Sequence, residues 1–284
     1  MLKNYALLMR LDRPIGIFLL LWPTLWALWI AGEGEPDGFI VLIFMLGVFL
    51  MRSAGCVIND FADRKVDGGV ERTQNRPLVT GAVSSQSALI LFAVLGLTAF
   101  LLVLQLDWLT IQWSFVALFF AILYPFSKRF TYLPQVFLGL AFSCAIPMAF
   151  TALTGEVPVL LVALLVTLNI SWIVAYDTIY AIVDREDDLK VGIKSTAILF
   201  GKYDRLIIGL LQLWVLVLLL LLGYWQSFNV YYYWVLILSA SLLIYQQYLI
   251  RHYQREACFT AFLSNNWFGL SVFVALGLNY AMPI

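Results

Sequence analysis

Long apolar stretches separated by short polar connections occupy almost the whole of this 284-residue chain. Nine of them are long enough, or nearly so, to cross the roughly 30 Å of hydrocarbon in a lipid bilayer. They cover residues 14–32, 38–58, 86–106, 108–127, 134–153, 157–182, 205–224, 230–250 and 264–282. The pattern predicts an all-α, polytopic membrane protein with about nine transmembrane helices.

Lysine and arginine are confined to alternate connections between these stretches. Apart from Arg52, they lie before residue 14 or in the connections 59–85, 128–133, 183–205 and 251–263. The intervening connections carry acidic residues instead, namely Glu33, Glu35, Asp37, Asp107 and Glu156. By the positive-inside rule we expect a cytoplasmic N-terminus, with the first apolar stretch retained as a helix.

Composition narrows the class of protein further. The chain is 63% hydrophobic and 12% charged with zero net charge, which excludes a soluble domain and a basic surface for nucleic acid. Cys56, Cys144 and Cys258 are far apart, and His252 is the one histidine. These residues argue against a disulfide framework and against a metal site built from cysteine or histidine.

Two acidic clusters follow directly on apolar stretches, where an uncompensated carboxylate is costly. In the first, Asn59, Asp63 and Asp67 have i, i+4, i+8 spacing and would share one face of a helix. In the second, Asp184 and Asp188 repeat the i, i+4 spacing. Two opposed faces of oxygen ligands indicate a Mg²⁺ site. The alternative is a pair of solvated helix ends with local salt bridges.

Basic residues near the clusters indicate the anion that such a site would hold. Arg72 and Arg76 share the connection that contains the first cluster, Lys128 ends the fourth stretch, and Arg13 precedes the first. Arginine binds phosphate through two parallel hydrogen bonds, so the combination with Mg²⁺ favours a diphosphate. The alternative, that basic residues only set membrane topology, fits those between 190 and 205 better.

Two charges lie inside the apolar stretches themselves. Arg52 precedes Asn59 by seven residues, and Asp177 precedes Asp184 by seven, so each lies two turns deeper on the same helix face. Ionisable residues inside a membrane are by default functional, and we expect both to face a central cavity. The alternative is a structural ion pair that joins the second helix to the sixth.

A coarse internal repeat relates the second and sixth helices, because each ends in an acidic cluster followed by a long basic connection. It predicts one membrane-embedded domain over residues 1–284. The domain would contain two pseudo-repeated halves, about 14–127 and 134–250, and a last helix at 264–282. Parallel repeats also occur in transporters, so the repeat does not by itself indicate an enzyme.

The motifs resemble those of the UbiA superfamily of intramembrane aromatic prenyltransferases. The first cluster matches N-D-x-x-D-x-x-x-D through Asn59, Asp60, Asp63 and Asp67, and the second matches D-x-x-x-D through Asp184 and Asp188. Flanking strings are similar to those of the 4-hydroxybenzoate branch of that superfamily. They are Arg13-Pro14-Ile15-Gly16, Leu20-Leu21-Trp22-Pro23-Thr24, Tyr124-Pro125-Phe126-Ser127-Lys128-Arg129 and Gly192-Ile193-Lys194-Ser195-Thr196.

The resemblance implies a helix bundle around a central cavity, capped on the cytoplasmic side by the loops after helices two and six. It implies Mg²⁺ as cofactor, with the ligands Asn59, Asp63, Asp67, Asp184 and Asp188. It also implies that the prenyl diphosphate is bound by Arg72, Arg76, Lys128 and Arg13. Tyr124 and Arg129 are expected near the reacting centre or the benzoate carboxylate, and the expected catalytic residues are Asp63, Asp184, Lys128 and Arg129.

The activity that the resemblance implies is transfer of a polyprenyl group from an all-trans polyprenyl diphosphate to 4-hydroxybenzoate. The new bond forms ortho to the hydroxyl, diphosphate is released, and the product enters ubiquinone biosynthesis in a bacterial inner membrane. No nucleic acid or obligate protein partner is expected. The alternatives are a superfamily member with another aromatic or quinone-precursor acceptor, or a cation or metabolite transporter.

Overall fold

The computed structural model describes residues 2–282, which contain α-helices, three short 3₁₀ segments and no strand. The helices are α1 (Leu2–Leu8), α2 (Ile15–Ala31), α3 (Gly38–Asp63), α4 (Ser85–Val103), α5 (Trp108–Ser127), α6 (Pro134–Ser143), α7 (Ala145–Thr154), α8 (Val159–Val191), α9 (Thr196–Phe200), α10 (Asp204–Trp225), α11 (Val230–Leu249), α12 (Arg255–Leu263) and α13 (Asn265–Ala281).

Eight helical stretches in the described residues are long and apolar enough to cross a membrane. They are α3, α4, α5, α8, α11 with the 3₁₀ turn after it, and the consecutive pairs α6–α7, α9–α10 and α12–α13. The first predicted span corresponds to α2, which is apolar but has only 17 residues. The prediction of an all-α, multi-pass membrane protein is confirmed.

The sequence placed the end of the sixth span too early. α8 does not stop near residue 182 but continues through the second acidic cluster to Val191. It ends at Gly192, which has the left-handed conformation (φ 74°) and lets Ile193 N–H bond the Asp188 carbonyl at 3.0 Å. Its 33 residues make a rod of about 50 Å, longer than the roughly 30 Å of hydrocarbon. The cluster contains no glycine or proline to end the helix, and Arg185 and Glu186 are good helix formers, so the helix continues through it to Gly192.

Two further boundaries differ from those predicted. The stretch 134–153 divides at Cys144 into α6 and α7, because the ring of Pro147 cannot be accommodated one turn after Ser143 in a continuous helix. The connection 251–263, predicted as a loop, contains α12. The wall of the cavity described below includes residues of all three helices.

Three helix starts on the side with few basic residues, those of α3, α5 and α11, are capped by short polar side chains. Asp37 accepts hydrogen bonds from the N–H groups of Phe39 (2.8 Å) and Ile40 (3.0 Å) at the start of α3. Asp107 does the same at the start of α5. Such caps satisfy N–H groups that the helix leaves unpaired, and they stabilise a helix end by about 1 kcal/mol.

The packed core centres on α8, which contacts α6, α10 and α12. Trp172 of α8 is fully buried, with its ring 5.2 Å from that of Trp26 on α2 and 5.7 Å from that of Phe268 on α13. Its indole N–H donates to Asn265 at 3.0 Å, so the polar edge of the ring is satisfied. This core fixes α8 as the rigid wall against which the remaining helices enclose a cavity.

Candidate active site

A cavity of about 1240 Å³ runs beside α3 and is lined by residues of that helix from Ile43 to Asp63. This part of α3 is about 30 Å long, comparable to the thickness of a bilayer core. The lining is rich in carboxylates and cations near Asp63 and apolar near Ile43. Leu97 of α4 and Phe115 of α5 line the cavity and are more than half exposed, so it reaches the lipid-facing surface between these helices.

The first acidic cluster lies at the polar end of the cavity. Asp60 and Asp63 are on the last turn of α3, and Asp67 begins a 3₁₀ turn. The predicted i, i+8 register of Asp67 is wrong, because α3 ends at Asp63 and Gly68–Gly69 are poor helix formers. The 3₁₀ turn nevertheless brings Asp67 to the cavity lining, together with Asn59.

Each carboxylate of this cluster is paired with a cation from elsewhere in the chain. Asp63, 1% exposed, accepts a hydrogen bond from Lys128 at the carboxyl end of α5. Arg76 Nη1 lies 2.6 Å from Asp67 Oδ2 and 3.1 Å from Asp60 Oδ1. A buried carboxylate is strongly destabilising without such a partner, so the cations make the acidic cluster tolerable.

The second cluster faces the first through an ion pair that crosses the cavity. Arg72, from the connection after α3, donates from Nη2 to Asp184 Oδ2 at 2.5 Å and from Nε to Asp184 Oδ1 at 3.0 Å. Burial lowers the pKa of Arg72, but Tyr180 and the bonded carboxylate of Asp184 outweigh it and leave that pKa raised. Arg72 therefore stays cationic and links the two acidic clusters.

Oxygen ligands for a divalent cation remain available beside these pairs. Asp63 Oδ1 is buried without a hydrogen-bond partner, and the side chain of Asp188 lines the cavity without an ion pair or hydrogen bond in the described residues. Together with the Asn59 amide they are the hard oxygen donors that Mg²⁺ prefers. Within residues 2–282 no three His, Cys, Asp or Glu side chains converge closely enough to hold a metal, since arginine and lysine lie among the acids.

Deeper in the cavity is a second polar group of side chains, made of Arg52, Asp177, Tyr124 and Tyr176. Arg52 Nη1 donates to Cys56 Sγ at 2.8 Å, whereas Arg52 Nε and the Tyr176 hydroxyl are buried without partners. Among the described residues Arg52 makes no ion pair. The structure therefore does not contain the alternative considered above, a salt bridge between Arg52 and Asp177. Both charges line the cavity, as expected from their spacing.

Comparison with known proteins identifies the family that has this architecture. The model of the UbiA prenyltransferase family matches residues 20–273. The chain belongs to the UbiA prenyltransferase family. It is 59% identical over 274 residues to a 4-hydroxybenzoate octaprenyltransferase of Vibrio campbellii, and the match covers 96% of each chain.

Solved UbiA structures share the fold at low identity. The apo structure of a UbiA homolog from Aeropyrum pernix K1 has a TM-score of 0.78 at 23% identity, over 92% of this chain and 96% of that one. A UbiA homolog from Archaeoglobus fulgidus bound to GPP and Mg²⁺ has a TM-score of 0.73 at 17% identity, over 96% and 99%. These likenesses show the fold of the family alone.

Two sequence-predicted residues of this UbiA family member lie apart from the paired acids. Arg129 is not among the residues that line the cavity, and its Nη2 donates to the Ala62 carbonyl at 2.5 Å. The structure therefore does not bring it to the paired acids, and its expected catalytic role stays a prediction. It instead satisfies a carbonyl that the end of α3 leaves unpaired. Arg13 lines the rim of the cavity and is largely exposed, and its Nε lies 3.6 Å from Asp12 Oδ2.

Sequence reasoning missed two cations of the site. Arg10 donates to both carboxylate oxygens of Asp60, at 2.8 and 3.0 Å, and Lys194 lines the cavity beside Tyr132. Lys194 N–H also donates to the Lys128 carbonyl at 3.1 Å. In the sequence, the positive-inside rule explained both residues as well as a role in the site did. No local spacing connects Arg10 with an acid fifty residues later, so only the fold reveals the pair.

A separate set of ion pairs lies outside the cavity. Arg255 of α12 contacts Glu71 at 3.1 Å, Glu186 at 3.0 Å and Asp187 at 3.4 Å. It thereby connects the segment after α3 with α8. Both glutamates are 78% exposed, and exposed pairs contribute about 0–1 kcal/mol each. This network therefore positions the segment only weakly.

Proposed function

We propose that this membrane protein transfers a polyprenyl group from an all-trans polyprenyl diphosphate to the ring carbon ortho to the hydroxyl of 4-hydroxybenzoate. Diphosphate is released, and the product belongs to ubiquinone biosynthesis. The observation that carries the proposal is a cavity with paired carboxylates and cations at one end and an apolar wall at the other. The name of the 59% identical relative supports the same acceptor.

The diphosphate belongs at the polar end of the cavity. Arg72, Arg76 and Lys128 bind its oxygens, and Arg13 contributes from the rim. In the structure the first three are held by carboxylates, so an incoming diphosphate competes with Asp184, Asp67 and Asp63 for them. Guanidinium groups bind two phosphate oxygens at once, which makes this exchange favourable.

The exchange releases carboxylate oxygens for Mg²⁺. Asn59, Asp63, Asp67, Asp184 and Asp188 would hold the ion, and their donor chemistry fits it. When bound, Mg²⁺ supplies electrostatic stabilisation of the departing diphosphate. The cationic side chains do the same from the protein, in a site with little water, where fixed charges act most strongly on a developing anion.

The aromatic acceptor belongs next to the deeper polar group. Arg52 presents a buried Nε without a partner, which suits the carboxylate of 4-hydroxybenzoate. Tyr124 and Asp177 line the same region and orient the ring. Since Arg52 lies two turns of α3 below Asn59, the ring is held between the diphosphate and the apolar end of the cavity.

The covalent step exchanges one bond at the prenyl C1 atom for another. The C1–O bond breaks, its electron pair leaves with the diphosphate, and the allylic cation is attacked by the ring carbon ortho to the hydroxyl. Loss of the ring proton to a carboxylate or diphosphate oxygen restores aromaticity. Aromatic side chains such as Tyr176 and Tyr180, which line the cavity, stabilise the cation through their faces. A cavity in the membrane keeps out the water that would otherwise react with the cation.

The prenyl tail lies along the apolar part of the cavity. Its exit between α4 and α5, marked by Leu97 and Phe115, lets a long tail reach the lipid. The distribution of lysine and arginine supports an orientation in which the polar end of the cavity and the N-terminus lie on the cytoplasmic side of a bacterial inner membrane. Both substrates then reach the site without crossing the bilayer.

The first experiment uses membranes that contain this protein, supplied with 4-hydroxybenzoate and a long-chain prenyl diphosphate, with and without Mg²⁺. We expect Mg²⁺-dependent formation of 3-polyprenyl-4-hydroxybenzoate. Asp63→Asn and Asp184→Asn should abolish turnover while the protein remains folded in the membrane. Product from other aromatic acceptors alone would overturn the acceptor assignment, and solute flux without diphosphate release would indicate a transporter.

A further inference from the structure

Groups without charge hold the Arg52 guanidinium in the cavity. Its Nη1 donates to the sulfur of Cys56, at 2.8 Å, and Cys56 is a buried residue that lines the cavity one helical turn after Arg52 on α3. Gly16 of α2 borders the same guanidinium, because a Cβ atom placed there would lie 2.6 Å from Arg52 Cζ and closer still to Nε and Nη2. One nitrogen of Arg52 is thus occupied by the sulfur, and the other two face a position that has no side chain.

The sulfur also determines the direction in which the Arg52 side chain runs. Every Cα–Cβ bond of an α-helix is tilted toward the N-terminal end of that helix, which for α3 is the apolar end of the cavity. A long side chain at residue 52 therefore starts out pointing away from Asp63. The hydrogen bond to Cys56 draws the guanidinium back toward the acidic end, where the reaction would take place.

We infer that Cys56 is a positioning residue for the aromatic acceptor, because its sulfur holds Arg52 Nη1 and leaves Nε and Nη2 to bind the acceptor carboxylate. The inference rests on the proposed function, in which Arg52 binds the carboxylate of 4-hydroxybenzoate. Two neighbouring guanidinium nitrogens form the fork that a carboxylate binds through two parallel hydrogen bonds. The sulfur selects which pair of nitrogens is offered and at what depth in the cavity.

Stability does not explain the contact between Arg52 and Cys56. A thiol sulfur is a weak acceptor without charge, so it does not compensate a guanidinium inside a membrane protein. In the described residues Arg52 forms no ion pair, and its Nε is buried without a hydrogen-bond partner. A cation that is held in place but left uncompensated suits an anion that binds and leaves in each turnover.

The test compares Cys56→Ala and Cys56→Ser with Cys144→Ala. Cys144 is also a buried cysteine, but it lies outside the cavity lining, where its Sγ donates to the Leu140 carbonyl at 3.3 Å. Each purified protein is placed in lipid nanodiscs with Mg²⁺, and a thermal melt confirms that it is folded. The readouts are KM for 4-hydroxybenzoate at saturating prenyl diphosphate and KM for the prenyl diphosphate at saturating 4-hydroxybenzoate.

We expect KM for 4-hydroxybenzoate to rise about tenfold in Cys56→Ala, as loss of one hydrogen bond to a charged group would give, while KM for the donor stays unchanged. Cys56→Ser keeps an acceptor for Nη1, so its KM should lie nearer to wild type. Cys144→Ala should change neither value. An unchanged KM for 4-hydroxybenzoate in folded Cys56→Ala, an equal rise for the donor, no rescue by serine, or the same rise in the control would overturn the inference.

A valine variant covers the case in which Cys56→Ala does not fold. Cys56→Val fills the place of the thiol without offering an acceptor, so it should raise KM for 4-hydroxybenzoate as alanine does, and an unchanged value would refute the inference. If the wild-type protein prenylates no aromatic acceptor, the proposed function itself fails. If it prenylates 4-hydroxybenzoate and the Cys56 variants match it, only the role of Cys56 fails.

Discussion

The ion pair between Arg72 and Asp184 allows a quantitative prediction for Arg72→Gln. The substitution leaves Asp184 without its bidentate partner, although only 12% of the Asp184 side chain is exposed. Breaking a buried pair costs about 3–5 kcal/mol. Because 24% of the Arg72 side chain reaches solvent, we expect the lower value, about 3 kcal/mol. Arg72→Gln combined with Asp184→Asn removes the unpaired charge, so a coupling of about 1–3 kcal/mol should be recovered.

Thermal unfolding of the purified protein measures this stability. A loss of about 3 kcal/mol lowers Tm by roughly 6–12 °C in a chain of this size. Activity should respond differently, because Arg72 also binds the diphosphate under the proposed function. Loss of one such charge-stabilising group lowers kcat by about 10²–10³-fold. Because Asp184→Asn by itself should abolish turnover, the double variant reports only on Tm, and the effect of Arg72 on kcat is measured in Arg72→Gln alone.

Three results would refute this reasoning. A Tm within about 2 °C of wild type in Arg72→Gln would mean that the pair does not stabilise the fold. Strict additivity in the double variant would mean that the two side chains do not interact. A fall in kcat of less than about tenfold in folded Arg72→Gln would mean that Arg72 acts only through the structure, and not on the substrate.

Three other substitutions test separate parts of the molecule. Gly16→Ala places a methyl group where the Arg52 guanidinium now lies, so we expect a raised KM for 4-hydroxybenzoate with a Tm near wild type; Gly277→Ala, which meets nothing, should leave both unchanged. Arg255→Gln should lower the free energy of unfolding by less than about 1 kcal/mol, and a larger loss in a thermal melt would contradict the weak role given to exposed pairs. Trp172→Leu removes a fully buried ring and leaves Asn265 Oδ1 without its donor, so it should destabilise by about 3–5 kcal/mol. A decrease in Tm of less than about 5 °C would show that the core repacks.

The sequence predicted those parts of the site that depend on local spacing. Asn59 and Asp63 lie one helical turn apart, and Arg52 and Asp177 lie two turns deeper than their motifs, so helical geometry alone brings each set to one face. In a chain this hydrophobic, a charged residue inside an apolar stretch costs free energy, so its presence indicates a role in function or in holding the helices together.

The sequence did not predict which charged residues pair with each other in the fold. Arg72 and Asp184 are 112 residues apart, and although local spacing assigns each of them to the site, no local pattern indicates that they pair with each other. The resemblance implied that Arg129, like its neighbour Lys128, acts near the reacting centre, but the structure places the two side chains differently. On a helix end, adjacent residues point about 100° apart, and Arg129 turns to the Ala62 carbonyl while Lys128 enters the cavity.

The length of α8 has a consequence for the lipid in which the protein works. The helix is a rod of about 50 Å that carries core residues at its centre and Asp184 and Asp188 near one end. Helices tilt to match the hydrocarbon thickness of the surrounding bilayer. With its far end fixed, a change in tilt of about 5° moves the carboxylate end by roughly 4 Å. That displacement exceeds the reach of a hydrogen bond, so a bilayer whose thickness tilted α8 relative to α3 by this angle would separate Asp184 from Arg72.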